Sequence, residues 1–82
     1  MNPETAALAI DWQTVLLAFA AALALGVSAL ATAWVQSKIG ASGAGTLAEK
    51  PELTATVIIL VAIPETIVIL GFVIAAMILL GV

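Results

Sequence analysis

Two long apolar runs constrain the fold of this chain more than any other feature of its sequence. Residues 15–35 form a run without a charge, and residues 57–80 form a run in which Glu65 is the one ionisable group. About 20 consecutive apolar residues suffice for a helix to cross the ~30 Å hydrocarbon layer of a bilayer. Both runs reach that length, so both are predicted to be transmembrane helices.

The composition agrees with a membrane protein and excludes several functional classes. Of the 82 residues, 65% are apolar and 9% are charged, which leaves too few polar side chains to cover a soluble globule. The chain has neither Cys nor His, so disulfides, thiol chemistry and the common zinc sites are excluded, and no cofactor is expected. Its two Lys and net charge of −3 do not make the basic surface that nucleic acid requires.

The segment between the two apolar runs predicts a single reversal of the chain. Proline suits the first turn of a helix and disfavours the α conformation in the residue before it, so Pro51 is expected to open the second helix. We predict a first helix over about residues 11–45, a turn at residues 46–50 and a second helix over residues 51–81. Residues 1–82 would then form one helical hairpin.

The charges predict how this hairpin is oriented in an inner or plasma membrane. Both lysines, Lys38 and Lys50, lie on the loop side of the apolar runs, whereas the N-terminal segment carries the acids Glu4 and Asp11. A cleaved secretory signal would begin with positive charges, so a signal peptide is not expected. By the positive-inside rule the loop is predicted to be cytoplasmic and both termini to lie outside.

A stripe of small residues follows one face of the first helix. Its members recur at spacings of three and four, and they are Ala22, Gly26, Ala29, Ala33, Ser37, Gly40 and Ala44. Helices in lipid associate through van der Waals contact between such faces, whereas the second helix is bulky and shows no comparable stripe. We therefore predict a homo-oligomeric ring with the first helix inside and the second outside. The alternative is that an alanine-rich helix shows such a stripe by chance.

Glu65 is the most unusual residue of the second run. It lies about four helical turns beyond Pro51, near the middle of the bilayer, where an ionised carboxylate is unfavourable by roughly 2.5 to 3.5 kcal/mol. It must be neutralised by a proton, a cation or a cationic partner, unless it is a permanently neutral hydrogen-bond donor.

Gln36 is predicted to face this carboxylate from the other helix. It precedes Pro51 by almost the same stretch of chain as the one by which Glu65 follows it, so both side chains should lie at the same depth. Its amide can donate to the carboxylate or offer its oxygen to a cation. The alternative for Gln36 is a polar residue at a helix terminus.

The residues on either side of Glu65 in the sequence are expected to shape its surroundings. Pro64 lacks a backbone N–H, so it should kink the second helix and free the carbonyl of Leu60. The hydroxyl of Thr66 can bond within its own helix or face a neighbouring subunit. The sequence leaves both roles of Thr66 open.

Three segments, WVQSKIGASGAG, AEKPEL and IPETIVILGFVIAAMI, together resemble the ring proteolipid of rotary ATPases. The resemblance covers roughly residues 22–80. It is closer to the archaeal and bacterial V/A-type branch than to the F-type branch, because the carboxylate belongs to a P-E-T motif that follows the turn proline by about four helical turns. It implies a non-catalytic rotor subunit of an ATP synthase or ATPase, with Glu65 as the ion carrier.

The resemblance also implies partners for such a ring. They are a stator membrane subunit that carries an essential arginine and a central rotor stalk that docks on the turn, at residues 46–52. The ring would also be surrounded by lipid, in which the carboxylate of Glu65 is unfavourable unless its charge is neutralised.

In sodium-binding relatives, the resemblance implies that the ion is held by the residues equivalent to Glu65, Gln36, Thr66 and the carbonyl of Ile63. A further polar ligand of those relatives is replaced here by Ile67. Sodium needs several oxygens to replace its water, whereas a proton needs the carboxylate and one acceptor. We therefore expect protons rather than sodium, with Gln36 and Thr66 as hydrogen-bond partners of protonated Glu65.

Two other functions compete with this interpretation. A pore-forming, holin-like oligomer would explain the hydropathy and the stripe, but a water-filled pore would require more polar lining than one carboxylate and one amide. An accessory subunit of a larger membrane complex would not require Glu65 at all.

Overall fold

The computed structural model describes residues 2–82, apart from the side chains of residues 6–8, so Met1 of the predicted unit lies outside it. The described part is helical throughout and measures 71 × 20 × 14 Å. Its elements are α1 (Pro3–Leu8), α2 (Trp12–Glu49), a 3-10 turn (Pro51–Leu53), α3 (Thr54–Ala62) and α4 (Glu65–Leu80).

The chain folds into a hairpin of two arms. We call α2 the first arm and the segment Pro51–Leu80 the second arm. Both are long and apolar enough to cross a membrane. The prediction of an all-α hairpin with two candidate membrane spans is confirmed.

The first arm begins with a well-defined cap. Asp11 precedes α2, and its side chain accepts hydrogen bonds from the backbone N–H of Thr14 at 3.3 Å and from the Thr14 hydroxyl at 2.6 Å. Carboxylates at this position satisfy donors that have no partner within the helix. The hydroxyl bond from Thr14, followed by the backbone bond, lowers the pKa of Asp11 below its ordinary value.

The predicted end of the first helix at residue 45, with a turn at residues 46–50, is wrong. Helix α2 continues to Glu49 and the chain reverses at Lys50, whose φ of −132° and ψ of 75° suit a residue that precedes proline. The polar groups of this stretch are satisfied inside the helix, since the Thr46 hydroxyl donates to Ser42 and the Lys50 N–H donates to the Thr46 carbonyl. At ~1.5 Å per residue, the 38 residues of α2 extend about 57 Å.

The second arm is interrupted where the sequence predicts a kink. Helix α3 ends at Ala62 and α4 begins at Glu65, with Pro64 capping α4 at φ −63° and ψ −17°. Proline cannot donate to the carbonyl four residues earlier, so the regular ladder stops here. The arm starts at Pro51 as predicted, and Gly81, with a φ of 75°, terminates it in the left-handed conformation that glycine tolerates.

Small residues let the two arms approach each other closely. A Cβ added at Gly43 would lie 2.5 Å from Val57 Cγ1, and one added at Gly71 would overlap the Ser28 side chain and lie 2.8 Å from the Ala24 carbonyl oxygen. Gly71 and Ala75, four residues apart, are both buried on the contact face of α4. These two residues form a small contact patch on α4, although the second arm has no stripe as long as that of the first.

The predicted small stripe of the first arm does not contact the second arm. Six of its seven residues are exposed and Gly40 is half-buried, and a Cβ at Gly26 or Gly40 would meet nothing within 4 Å. At ~100° per residue, the stripe lies about a third of a turn away from the face that carries Ser28 and Thr32. The stripe is therefore accessible to neighbours outside the hairpin.

Apolar side chains cover most of the hairpin surface. Leu30 is 73% exposed and Trp34 is 67% exposed, and the described residues bury only small side chains between the arms. A single hairpin thus has no hydrophobic core of its own, and its apolar surface requires lipid or further copies of the chain.

Candidate functional site

The two polar side chains that the sequence places at one depth are in contact. Gln36 Nε2 donates to Glu65 Oε2 at 2.7 Å and to the backbone carbonyl of Val61 at 3.0 Å. An amide NH₂ group has two hydrogens, so both have an acceptor. The predicted juxtaposition of Gln36 and Glu65 across the hairpin is confirmed, while their role in carrying an ion stays a prediction.

A second bond from the first arm reaches the other side of the helix break. Thr32 Oγ1 donates to the Pro64 carbonyl at 3.1 Å, and Thr32 is only 4% exposed. Thr32 and Gln36 are four residues apart and so lie on one face of α2. Together they bond to the carbonyls of Val61 and Pro64, which flank the interruption between α3 and α4.

Neither Thr32 nor the Val61 carbonyl was predicted from the sequence as part of the site. One signal was present for Thr32, because a hydroxyl in an otherwise apolar run, four residues before Gln36, must share its helix face. Nothing in the sequence singles out the Val61 carbonyl. Pro64 was expected to free the carbonyl of Leu60, but the carbonyl that accepts from Gln36 belongs to the next residue.

Thr66 does not bond to Glu65 in the hairpin, and its role as a hydrogen-bond partner of the protonated carboxyl stays a prediction. Its hydroxyl donates to the Ile63 carbonyl at 2.9 Å, and its backbone N–H donates to the same oxygen at 3.2 Å. Consecutive residues on a helix point about 100° apart, which directs Thr66 away from its neighbour's carboxylate. The Ile63 carbonyl thus has two donors from its own chain, and its role as an ion ligand stays a prediction.

Apolar side chains surround the carboxylate. Glu65 is exposed at the hairpin surface and, with Gln36, lines a shallow groove whose other walls are Val57, Ile58, Val61 and Ala62. No cationic side chain belongs to this lining among the described residues. The ammonium of Lys38 instead lies over the Trp34 ring, 5.4 Å from its centroid.

Two opposing electrostatic effects act on Glu65. As the first residue of α4, it lies at the positive end of the helix dipole, which favours a negative charge by about 0.3 to 1 kcal/mol. Exposure to hydrocarbon disfavours the same charge by roughly 2.5 to 3.5 kcal/mol. The lipid term is the larger of the two, so a negative charge on this side chain is unfavourable wherever its groove faces hydrocarbon.

Comparison with known families covers this whole region. A sequence model for the family of ATP synthase C subunits matches residues 19–78, which is well over half of the chain. The matched segment contains both arms across most of their length and every residue of the site described above. A search of curated protein sequences found no significant match.

Proposed function

The chain belongs to the family of ATP synthase C subunits, and from this premise we propose that Glu65 carries the translocated ion and that the ion is a proton. Members of this family are non-catalytic, ion-translocating rotor subunits of the ATP synthase, and they assemble as a ring of helical hairpins in the membrane. Membership therefore favours a rotor subunit over the pore-forming and accessory alternatives.

The observation that supports this carrier is the 2.7 Å bond from Gln36 Nε2 to Glu65 Oε2. A carboxyl that is protonated on one oxygen keeps the other as an acceptor, so the same bond serves the neutral and the ionised form. Gln36 can therefore hold Glu65 in place throughout a cycle of protonation, without changing its own hydrogen-bond direction.

The orientation of the Gln36 amide supports a proton over sodium. Sodium is bound by oxygen atoms, yet the atom that Gln36 presents to the carboxylate is nitrogen. Turning the amide to offer its oxygen would break the bonds to both Glu65 and Val61. Ile67 supplies no polar atom, so one oxygen fewer is available to replace the hydration shell of sodium.

The free-energy penalty for a charge in lipid supports rotation that is driven by the proton gradient. A charged Glu65 that entered hydrocarbon would be disfavoured by about 2.5 to 3.5 kcal/mol, which corresponds to a population ratio of roughly 100-fold. A protonated Glu65 avoids this penalty and can turn through the lipid. We propose that deprotonation occurs opposite the arginine of a stator subunit or in a water-filled half-channel, so that rotation follows the proton gradient.

The remaining assignments of the rotor are also proposals. The P-E-T motif, about four helical turns after Pro51, supports the V/A-type branch. The exposed end of the hairpin, with Glu49, Lys50 and Glu52, supports docking of a central stalk there. The two lysines support a cytoplasmic position for this end, with both termini on the other side of the membrane.

Carbodiimide labelling of the purified ring tests the proton carrier. Carbodiimides modify protonated carboxyls in apolar surroundings, so we expect modification at Glu65 and none at Glu49 or Glu52. Millimolar sodium at neutral pH should leave the labelling rate unchanged. Protection by sodium would contradict the proton assignment, and absence of labelling at Glu65 would contradict the carrier itself. A Glu65→Gln ring serves as the unlabelled control.

A further inference from the structure

We propose that Thr32 is a positioning residue for the ion carrier: through its bond to the Pro64 carbonyl it fixes the first turn of α4 and so holds Glu65 against Gln36. This inference rests on the proposed function of Glu65. Thr32 itself touches neither the carboxylate nor the amide in the bonds of the site, and it acts through the backbone of the second arm.

The direction of the Thr32 bond distinguishes it from three other hydroxyls of the first arm. Ser28 donates to Ala24, Ser37 to Trp34 and Thr46 to Ser42, so each bonds within its own helix. Such bonds are the usual choice for Ser and Thr inside a helix. Thr32 alone among these hydroxyls donates across the hairpin, to a residue 32 positions later.

Both partners of the bond from Thr32 to Pro64 are shielded from solvent. Thr32 is 4% exposed, and Pro64 is buried as well. Water therefore does not compete for the hydroxyl, and a buried donor without its acceptor would be unfavourable. The bond accordingly favours one position of the Pro64 carbonyl relative to the first arm.

The Pro64 carbonyl, which accepts the Thr32 hydroxyl, lies at the start of the first turn of α4. It also accepts the backbone N–H of Ile67 at 3.0 Å, and Glu65 follows it directly in the chain. Because the proline interrupts the ladder, the second arm alone does not fix the rotation of α4 relative to α3. Two bonds from the unbroken arm supply this constraint. Thr32 bonds to Pro64 on the α4 side of the break, and Gln36 bonds to Val61 on the α3 side.

Substitutions of Thr32 in the assembled ring test whether the residue positions Glu65 or contributes only to packing between the arms. Thr32→Val keeps the shape of the side chain and removes the donor, whereas Thr32→Ser keeps the donor. We measure the rate of carbodiimide modification of Glu65 and the ¹⁵N chemical shift of the Gln36 side-chain amide. Thr32→Val should accelerate modification about fivefold, the factor that corresponds to one hydrogen bond, and should shift the Gln36 signal. Thr32→Ser should restore the wild-type values.

Thr54→Val is the matched control, because the Thr54 hydroxyl also donates to a proline carbonyl, that of Pro51, but at the loop end. It should leave both measurements unchanged. If Thr32→Val rings do not assemble, Thr32→Ala is measured in the same way. Wild-type values in the variant that lacks the hydroxyl, with only a lower melting temperature, would overturn the inference. A wild-type ring that carbodiimide does not modify at Glu65 would overturn the proposed function instead.

Discussion

The two arms of the hairpin differ in continuity. The first arm is one helix of 38 residues from Trp12 to Glu49. The second arm, of similar apolar character, is divided into a 3-10 turn, α3 and α4. The first arm contains no proline, whereas the second has one at its start and one beside its only membrane-embedded carboxylate.

This difference assigns separate tasks to the arms. The broken arm carries the ionisable group and presents the backbone carbonyls of Val61 and Pro64 to the other arm. The unbroken arm supplies side-chain donors, Thr32 and Gln36, from a helix whose own backbone bonds are complete on both sides of them. A continuous helix is thus a rigid support, and an interrupted helix is where a carboxylate can be accommodated. The following experiments test that division.

The largest effect is expected at the carboxylate of the broken arm. Glu65→Gln removes the titratable group but keeps a side chain of similar size, so the ring should assemble and translocate no protons above background. Proton uptake by proteoliposomes that contain the complete ATP synthase measures this loss. Glu4→Gln, the same substitution in the N-terminal segment outside both spans, should retain full activity. Residual proton-driven ATP synthesis in the Glu65→Gln enzyme would contradict the assignment.

The next largest effect is expected on the exposed stripe of the unbroken arm. A side chain at Gly26 meets nothing within the hairpin, so Gly26→Leu should leave the hairpin helical by circular dichroism. If the stripe is the contact between copies, the bulky side chain should prevent ring assembly, which native mass spectrometry of the detergent-solubilised protein detects. Leu30→Met, a volume-conserving change at an exposed position of the same arm, is the control. A Gly26→Leu ring of normal mass would show that the stripe is not the contact.

A smaller effect is expected where the arms touch. At Gly71, a Cβ would overlap Ser28 and lie 2.8 Å from a backbone oxygen, and overpacking of this kind destabilises by about 1 to 3 kcal/mol. Replacing glycine by alanine in a helix is by itself favourable by about 1 kcal/mol. Gly71→Ala should therefore lower the dissociation temperature of the ring. Gly45→Ala, which meets open space, should leave it equal or higher, and equal behaviour of both variants would contradict close contact at Gly71.

The smallest effect is expected at the cap of the unbroken arm. The bonds from Thr14 lower the pKa of Asp11 from its ordinary value of 3.8. A carboxyl whose pKa is lowered by folding stabilises the helix start above its unfolded pKa, and the contribution disappears as the pH falls through the lowered folded value. The protection of the first-turn amides from hydrogen exchange, measured relative to an unfolded peptide at the same pH, should fall on acidification in that range. Asp11→Asn keeps the capping oxygen without titrating, so its exchange should lack this additional pH dependence.

The positions of the site residues along the helix axes could be predicted from the sequence. Gln36 and Glu65 are separated from Pro51 by nearly equal stretches of chain, and a helix rises uniformly along its axis, so their common depth could be counted. The interruption at Pro64 followed from its missing N–H. The error in the turn arose because glycines and polar residues near Thr46 suggested a loop. Hydrogen bonds within the helix and close packing at Gly43 favour helix there instead.

The direction in which each side chain points around its helix axis could not be predicted from the sequence. Whether the Thr66 hydroxyl turns to its own helix or to a neighbour, and which carbonyl meets the Gln36 amide, depend on the rotation of each arm about its axis. That rotation is set by where small residues allow contact, at Gly43 against Val57 and at Gly71 against Ser28. Neither pairing is evident from the periodicity of one arm alone.

Three properties could be predicted from the amino-acid sequence: two apolar spans, an interruption of the second span, and one carboxylate within that span. They depend on run length, helix rise and the chemistry of proline, which are local. The bonds of Thr32 and Gln36 across the break, to Pro64 and Val61, became evident from the folded hairpin, because they depend on how two helical surfaces fit together.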